Sequence, residues 1–104
     1  MPNNSRIKTF VGFSIKARKC LFGYDQVYSS GKAKVVLYSA DTAPKAILRL
    51  TRYCEEYSIP CYICQPNDIN DYVSRVGVKV IGITEQSLAD AVISEFSEDI
   101  GESK

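Results

Sequence analysis

Short strand-like runs alternate with helix-like segments along the whole chain, and this alternation limits the possible folds more than any other feature. Each run is rich in β-branched, aromatic or other apolar residues. The runs are "CLF" at 20–22, "KVVLYS" at 34–39, "IPCYICQP" at 59–66 and "VKVIGIT" at 78–84. Alternating strands and helices are typical of α/β proteins. We therefore predict a three-layer α-β-α sandwich with a mixed, mostly parallel sheet of about four strands, "CLF" being an edge strand.

The first two helix-like segments begin near small polar or glycine residues. A helix is predicted over about 6–18, with Ser5 as its N-cap. A second, short helix, "YDQVYSS", follows Gly23 and ends at Gly31. This second helix separates the first predicted strand from the central one.

The later helices carry similar signals. Asp41 or Thr42 is expected to cap a third helix with Pro44 in its first turn. "NDINDYVSRVG" predicts a short fourth helix, and Thr84 is expected to cap a fifth. The third helix has an apolar stripe of Ile47, Leu50, Cys54 and Tyr57. A chain of 104 residues fits one domain, predicted over 1–96, followed by an acidic flexible tail at 97–104.

Charge is distributed unevenly, although the net charge is only +1. Residues 1–52 contain ten Lys and Arg against two acids, whereas residues 53–104 contain three against ten. Such a division is typical of a protein with one basic face for a polyanion and one acidic face. Solvated helices that differ in charge by chance would give the same count, so charge alone leaves both interpretations open.

The inventory of residue types disfavours catalysis. The chain has no histidine, so it lacks the commonest general base and the commonest metal ligand. We expect a protein that is not an enzyme and needs no cofactor. No apolar run approaches the roughly 18–20 residues that span a membrane, and "MPNNSRIKTF" lacks the apolar centre of a secretory signal. We expect a cytoplasmic protein without a membrane partner.

The pair Cys61 and Cys64 has the spacing of a zinc or dithiol motif. Residues three apart on a strand point to opposite faces, however, and the other cysteines, Cys20 and Cys54, are isolated in the sequence. Buried core cysteines explain the pair better. We expect Cys61 and Cys64 to be unbonded and to bind no metal.

The segment from Gly23 to Lys34 is the strongest candidate for ligand binding. Glycine permits a close approach of the backbone, and the amides that follow it favour phosphate. Gln26 has both a donor and an acceptor for a base edge, and Lys32 and Lys34 can contact phosphates. Tyr24, beside Gly23, is a further candidate. A capped surface helix followed by a solvated lysine turn would give the same spacing.

Four segments in order, "LFGYDQV", "SGKAKVVLYSADTAP", "CEEYSIPCYI" and "VIGITEQSLADAV", resemble the bacterial YlxQ-like ribosomal proteins. These belong to the kink-turn RNA-binding family that includes the archaeal large-subunit protein "L-seven-Ae". The resemblance covers about residues 7–96. It implies an α-β-α sandwich that binds kink-turn or similarly bent RNA without catalysis.

The resemblance also implies which residues contact RNA. Gly23 matches the glycine that opens the second helix of the family, and the polar pair after it matches residues that contact sheared G·A pairs. A basic turn, the loop after the central strand and the loop before the last strand complete the implied site. In this sequence these residues are Gly23, Tyr24, Asp25, Gln26, Lys32, Lys34, Ser39, Asp41, Val73, Ser74, Arg75 and Val76.

We therefore expect a structured RNA, kink-turn or ribosomal, as the partner, and a ribosomal or other protein as a further partner. The sequence departs from the family at Asp25, at Ser29, in the short second helix and in the late loop at Tyr72–Arg75, where small residues and glycines are usual in the family. These departures keep open an alternative, a protein-interaction module on the same fold with weak or no kink-turn binding. If the RNA site exists, Gly23–Gln26, Lys32/Lys34 and Val73–Val76 should lie at one end of the sheet.

Overall fold

Helices and strands alternate as the sequence predicts. The structure is a computed structural model that describes the backbone of residues 4–101 and the side chains of residues 4–96. The helices are α1 (Asn4–Lys16), α2 (Tyr24–Ser30), α3 (Pro44–Glu56), α4 (Asp68–Val73) and α5 (Gln86–Gly101). The strands are β1 (Cys20–Phe22), β2 (Val35–Ser39), β3 (Cys61–Cys64) and β4 (Val80–Ile83). Part of the predicted tail at 97–104 therefore continues α5, and residues 102–104 lie outside the described residues.

The sheet has the strand order β1-β4-β2-β3 and is mixed. Only β2 and β3 are parallel, whereas β4 runs antiparallel to both β1 and β2. The predicted mixed sheet of about four strands is confirmed, but one of its three strand pairings is parallel rather than most of them. The 15 residues between β3 and β4 include the six residues of α4, about 9 Å of helix. The chain turns back at the end where β3 stops, and β4 enters between β1 and β2.

This topology brings several loops to the same end of the sheet. β1, β2 and β3 finish where β4 begins, with Phe22 opposite Ile81 and Tyr38 opposite Val80. We call this the C-terminal end of the sheet, and the other the N-terminal end. The β1–α2 turn, the β2–α3 turn and the α4–β4 loop all lie at the C-terminal end.

The helices cover both faces of the sheet, which confirms the predicted three-layer sandwich. Along β2, Val35 and Leu37 pack with α1, α4 and α5, whereas Val36 between them packs with α2 and α3. This alternation follows from the period of two in a strand. Gly82 of β4 lies beneath α2, where an added Cβ would be 3.2 Å from Val27 Cγ2 and 3.3 Å from Ala33 Cβ.

The predicted caps of α3 are wrong, because the polar residues before this helix are engaged elsewhere. Ala43 is the N-cap and has no side-chain cap hydrogen bond. Asp41 accepts a hydrogen bond from the Ser39 hydroxyl, and the buried Thr42 Oγ1 has no partner among the described residues. In the predicted apolar stripe, Tyr57 is 62% exposed, so the stripe is buried only in part.

The starts of α1 and α5 also differ from the sequence prediction. Ser5 lies inside α1 rather than before it. At α5, the Glu85 carboxylate accepts a hydrogen bond from Leu88 N at 2.9 Å, which is the bond of an N-cap. Thr84 instead donates from Oγ1 to Lys19 O at 3.2 Å and links β4 to the turn before β1.

The Cys61 and Cys64 side chains point to opposite faces of the sheet, as predicted. Cys61 packs against the core beneath α2 and α3, near Cys54, whereas Cys64 belongs to the core beneath α1, α4 and α5. All four cysteines are free thiols. Burial raises the pKa of Cys64 to about 12 and that of Cys20 to about 11, so both thiols are neutral near pH 7.

The contact between α2 and β4 should be sensitive to volume at Gly82. We predict that Gly82→Val lowers the free energy of unfolding by about 1–3 kcal/mol, because the added methyl groups would overlap Val27 and Ala33. Gly12→Ala is the control: it lies in α1 with nothing within 4 Å of an added Cβ, and should raise stability by up to about 1 kcal/mol. Equal urea midpoints for wild type and Gly82→Val would contradict this packing.

Candidate nucleic-acid interface

Two of the turns at the C-terminal end of the sheet are held by neighbouring residues of the α4–β4 segment. Gly23 N donates to Val80 O at 2.7 Å, and Ser39 N donates to Lys79 O at 2.8 Å. The β1–α2 turn and the β2–α3 turn are thereby fixed on either side of the start of β4. Residues far apart in sequence form one continuous surface as a result.

The β1–α2 turn depends on Gly23 and Gln26. Gly23 is the N-cap of α2 with φ 88° and ψ 157°, a conformation that is essentially restricted to glycine. Gln26 Oε1 accepts a hydrogen bond from Phe22 N at 2.9 Å and so closes the turn. Gln26 is exposed, and its Nε2 carries two further N–H donors. An added Cβ at Gly23 would meet nothing within 4 Å, so its side of the turn is open to a ligand.

The α4–β4 loop is held by one asparagine. Asn70 accepts hydrogen bonds from Arg75 N through its carbonyl and from Val78 N through Oδ1, both at 3.1 Å. Ser74 ends α4 with φ 55°. Between these anchor points Val76 protrudes and is 92% exposed. The loop therefore presents an apolar tip on a fixed base.

Arg75 joins this loop to the β1–α2 turn. Its guanidinium carbon lies 4.3 Å from the centroid of the Phe22 ring, a cation–π contact. Since Gln26 is bonded to the backbone of the same phenylalanine, Gln26 and Arg75 lie at the same end of the domain. The predicted juxtaposition of Gly23–Gln26 with Val73–Val76 is confirmed.

The β2–α3 turn adds a charged pair. The Lys79 ammonium lies 3.4 Å from Asp41 Oδ2 and donates to Asp41 O at 3.3 Å. The hydrogen bond from the Ser39 hydroxyl, followed by the contact with Lys79, lowers the pKa of Asp41 below its usual value. Asp41 is therefore ionised near pH 7, and Lys79 partly offsets its charge. Lys79 was missed from the sequence because it lies inside an apolar strand pattern.

Two candidates from the sequence are buried. Ser39 is fully buried and Val73 is 4% exposed, packed in the core beneath α1. Their side chains support the turn and the loop from below and do not reach the surface. Asp25 is exposed in the first turn of α2, and Tyr24 stacks on Tyr28 with ring centroids 5.6 Å apart.

Lys32 and Lys34 lie at the wrong end of the sheet for the predicted shared site. Lys34 N donates to Ile83 O, the last residue of β4, at 2.7 Å. The seven residues of α2 and the segment after it carry the chain from the C-terminal end to the N-terminal end before β2 starts. The prediction that the two lysines share an end with Gly23 is therefore wrong. The two lysines are close to Gln26 in the sequence, but the sequence pattern does not show that the chain runs to the other end of the sheet between Gln26 and the lysines.

The basic first half of the sequence does not form one continuous basic face. On the α1 side, Arg6 lies 3.5 Å from Glu95 and Lys8 lies 3.3 Å from Asp71. These pairs join basic and acidic halves of the chain. On the other face, α3 carries Lys45, Arg49 and Arg52 at i, i+4 and i+7, all exposed. This helical spacing is the signal by which sequence analysis could have found them.

Neither a metal centre nor a membrane span is present in the part of the chain that the structure describes. No group of three or more His, Cys, Asp or Glu side chains is arranged there to hold a metal ion. No helix in the same part is both long and apolar enough to cross a bilayer.

Comparison with solved structures finds the same fold at low sequence identity. A protein of unknown function from Bacillus halodurans matches with a TM-score of 0.80 and 20% identity, over 88% of this chain and 97% of that one. A 15.5 kD RNA-binding protein from Giardia lamblia matches with a TM-score of 0.71 and 21% identity, over 89% of this chain and 83% of that one. Neither a protein-family model nor a curated protein sequence matches the chain.

The backbone at Gly23 should not tolerate a side chain. We predict that Gly23→Ala lowers the free energy of unfolding by about 1–3 kcal/mol through backbone strain alone, since the space around its Cβ is open. Urea unfolding followed by circular dichroism measures the change. Ser29→Ala, an exposed substitution on the same helix, is the control. A Gly23→Ala variant as stable as this control would contradict the strained turn.

Proposed function

We propose that the protein binds bent, structured RNA of the kink-turn type at the C-terminal end of the sheet, without catalysing a reaction. The ligand would contact the β1–α2 turn at Gly23 and Gln26 and the α4–β4 loop at Arg75 and Val76. The observation that carries the proposal is the convergence of Gln26 and Arg75 on Phe22, which joins a polar group and a cation from distant segments.

The chemistry of this end suits a bent RNA better than a straight duplex. In a regular RNA helix the bases are stacked and the deep groove is closed to side chains, so a protein meets mainly phosphates and 2′-hydroxyls. A kink exposes base faces and edges. Val76 can contact an unstacked base, Gln26 Nε2 can donate to a base edge, and Arg75 and Lys79 can contact phosphates.

The fold supports the same function, since the Giardia lamblia protein with this architecture is an RNA-binding protein. The resemblance to the YlxQ-like ribosomal proteins supports kink-turn RNA as the ligand. On the same ground we propose membership of that family, association with the ribosome and a cytoplasmic location. Asp25 and the short α2 would then modify affinity within this family rather than replace the function.

A titration against a kink-turn RNA and a straight duplex at two salt concentrations tests the proposal. We expect the wild type to prefer the kinked RNA. Gln26→Ala should weaken binding to that RNA by about 1–3 kcal/mol and affect the duplex much less, because lost base-edge bonds are specific to one base arrangement. Lys79→Ala should weaken both and flatten the salt slope by about one unit, because a phosphate contact acts through counterion release.

Two controls test whether an effect on RNA binding is caused by loss of folding and whether it depends on the position of the substituted residue. Ser29→Ala, on the same helix as Gln26, should leave discrimination unchanged, and urea midpoints should show that Gln26→Ala remains folded without its bond to Phe22. Lys34→Ala, at the other end of the sheet, should leave the salt slope for the kinked RNA unchanged. Equal, weak binding of both RNAs by the wild type would contradict the proposal and favour a protein-interaction module.

A further inference from the structure

Four tyrosines form a continuous ladder across α2 and α3. The ring centroids of Tyr24 and Tyr28 are 5.6 Å apart with planes 18° from parallel. Tyr28 and Tyr53, and then Tyr53 and Tyr57, follow at 5.0 Å each. We call these residues the tyrosine ladder. Tyr53 belongs to the core, but Tyr28 is 54% exposed and Tyr57 is 62% exposed.

A shallow groove follows the ladder. Its central part, about 430 Å³, is lined by tyrosines of the ladder together with Arg49, Arg52 and Glu56. Toward the C-terminal end of the sheet the groove continues past Tyr24 to Lys45. Toward the other end it continues past Tyr57. Aromatic rings and open volume thus extend along the whole line between the two helices.

One side of this groove is lined with cations. Lys45, Arg49 and Arg52, the α3 cations, are exposed on successive turns of the helix. No ion pair to any of them occurs among the described residues, in contrast to the paired Lys8 and Lys79. Glu56 is the acidic residue among those that line the central groove. A row of cations beside the two exposed rings of the ladder, Tyr28 and Tyr57, fits a polyanion that carries aromatic groups.

We propose that this groove binds a short single-stranded RNA, with bases stacked on the exposed rings of the tyrosine ladder and phosphates against the α3 cations. Base–aromatic stacking is tolerant of sequence because every base has a π-face, and arginine adds cation–π contacts. The surface is separate from the Gly23–Val76 site, and Tyr24 lies where the two meet. A single strand that leaves a bent RNA can therefore continue along the groove.

An acidic peptide is the competing occupant, since it would also match the α3 cations. The exposed rings of Tyr28 and Tyr57 favour RNA, because an acidic peptide contacts the cations but brings no base to stack on the rings. The two occupants predict different effects of the same substitutions. Removal of a tyrosine ring should strongly weaken the binding of a ligand whose bases stack on that ring. It should only slightly weaken the binding of a ligand held by charge alone.

The test is a fluorescence-anisotropy titration with an oligouridine of about eight nucleotides, a length within the range of known single-strand sites. We expect Tyr28→Ala and Tyr57→Ala each to weaken binding about 5- to 100-fold, whereas Tyr28→Phe, which keeps the ring, should bind as wild type. Arg49→Ala should flatten the salt slope by about 0.7. Phe13→Ala, a comparably exposed aromatic residue on α1, is the control and should have no effect.

Three results would overturn the inference: no binding of the oligouridine by wild type, wild-type affinity of Tyr28→Ala, or displacement of the oligouridine by polyglutamate at equal charge concentration. The kink-turn titration distinguishes this failure from failure of the proposed function. Tyr28→Ala should keep the preference for kinked RNA over duplex, and Gln26→Ala should keep oligouridine affinity. The two assays can therefore show loss of binding at one site while binding at the other site is retained.

Discussion

The insertion of β4 between β1 and β2 is the constraint on which the rest of the structure depends. The last strand in the sequence occupies an interior position of the sheet and runs against both of its neighbours. Val80, its first residue, and Lys79 just before it accept hydrogen bonds from the turns that follow β1 and β2, and Gly82 within it permits the close approach of α2. The α4–β4 loop is consequently placed beside the β1–α2 turn, and the candidate RNA site exists because of this pairing.

The same topology also determines which charged side chains lie next to one another. The sequence is basic in its first half and acidic in its second, but α1 packs beside α4 and α5, so Arg6 and Lys8 of α1 face acids of the second half. The cations of α3 lie on the opposite face and are not neutralised in this way. Surface ion pairs contribute little to stability, and their main effect here is to restrict where a polyanion can approach. The exposed cations without an ion pair among the described residues include Lys45, Arg49 and Arg52 on α3.

Features of the sequence with a strong local period were predicted well. The β-branched runs gave the strands, and the spacing of Cys61 and Cys64 gave their opposite orientation. Helix starts were harder, because a cap depends on tertiary contacts: Asp41 bonds to Ser39 rather than to the α3 backbone, and Glu85 takes the place expected for Thr84.

Strand direction and long-range neighbours could not be predicted from local patterns. Lys32 and Lys34 are close to Gln26 in sequence, yet the chain crosses the sheet between them. Arg75 and Phe22 are far apart in sequence, yet they are in contact. The tyrosine ladder has a partial signal, since Tyr24 and Tyr28, and Tyr53 and Tyr57, are each four residues apart. The packing of α2 on α3 brings the two pairs together, and this packing cannot be inferred from the residue spacing within either helix.

We propose that bent RNA binds at the C-terminal end of the sheet. The most direct measurement is an amide chemical-shift map of the ¹⁵N-labelled protein with a kink-turn RNA that has no single-stranded overhang. We expect the largest changes at Gly23, Gln26, Arg75 and Val76, with Lys34 unaffected. Changes centred on Lys32 and Lys34 at the N-terminal end, or no change at saturating RNA, would contradict it.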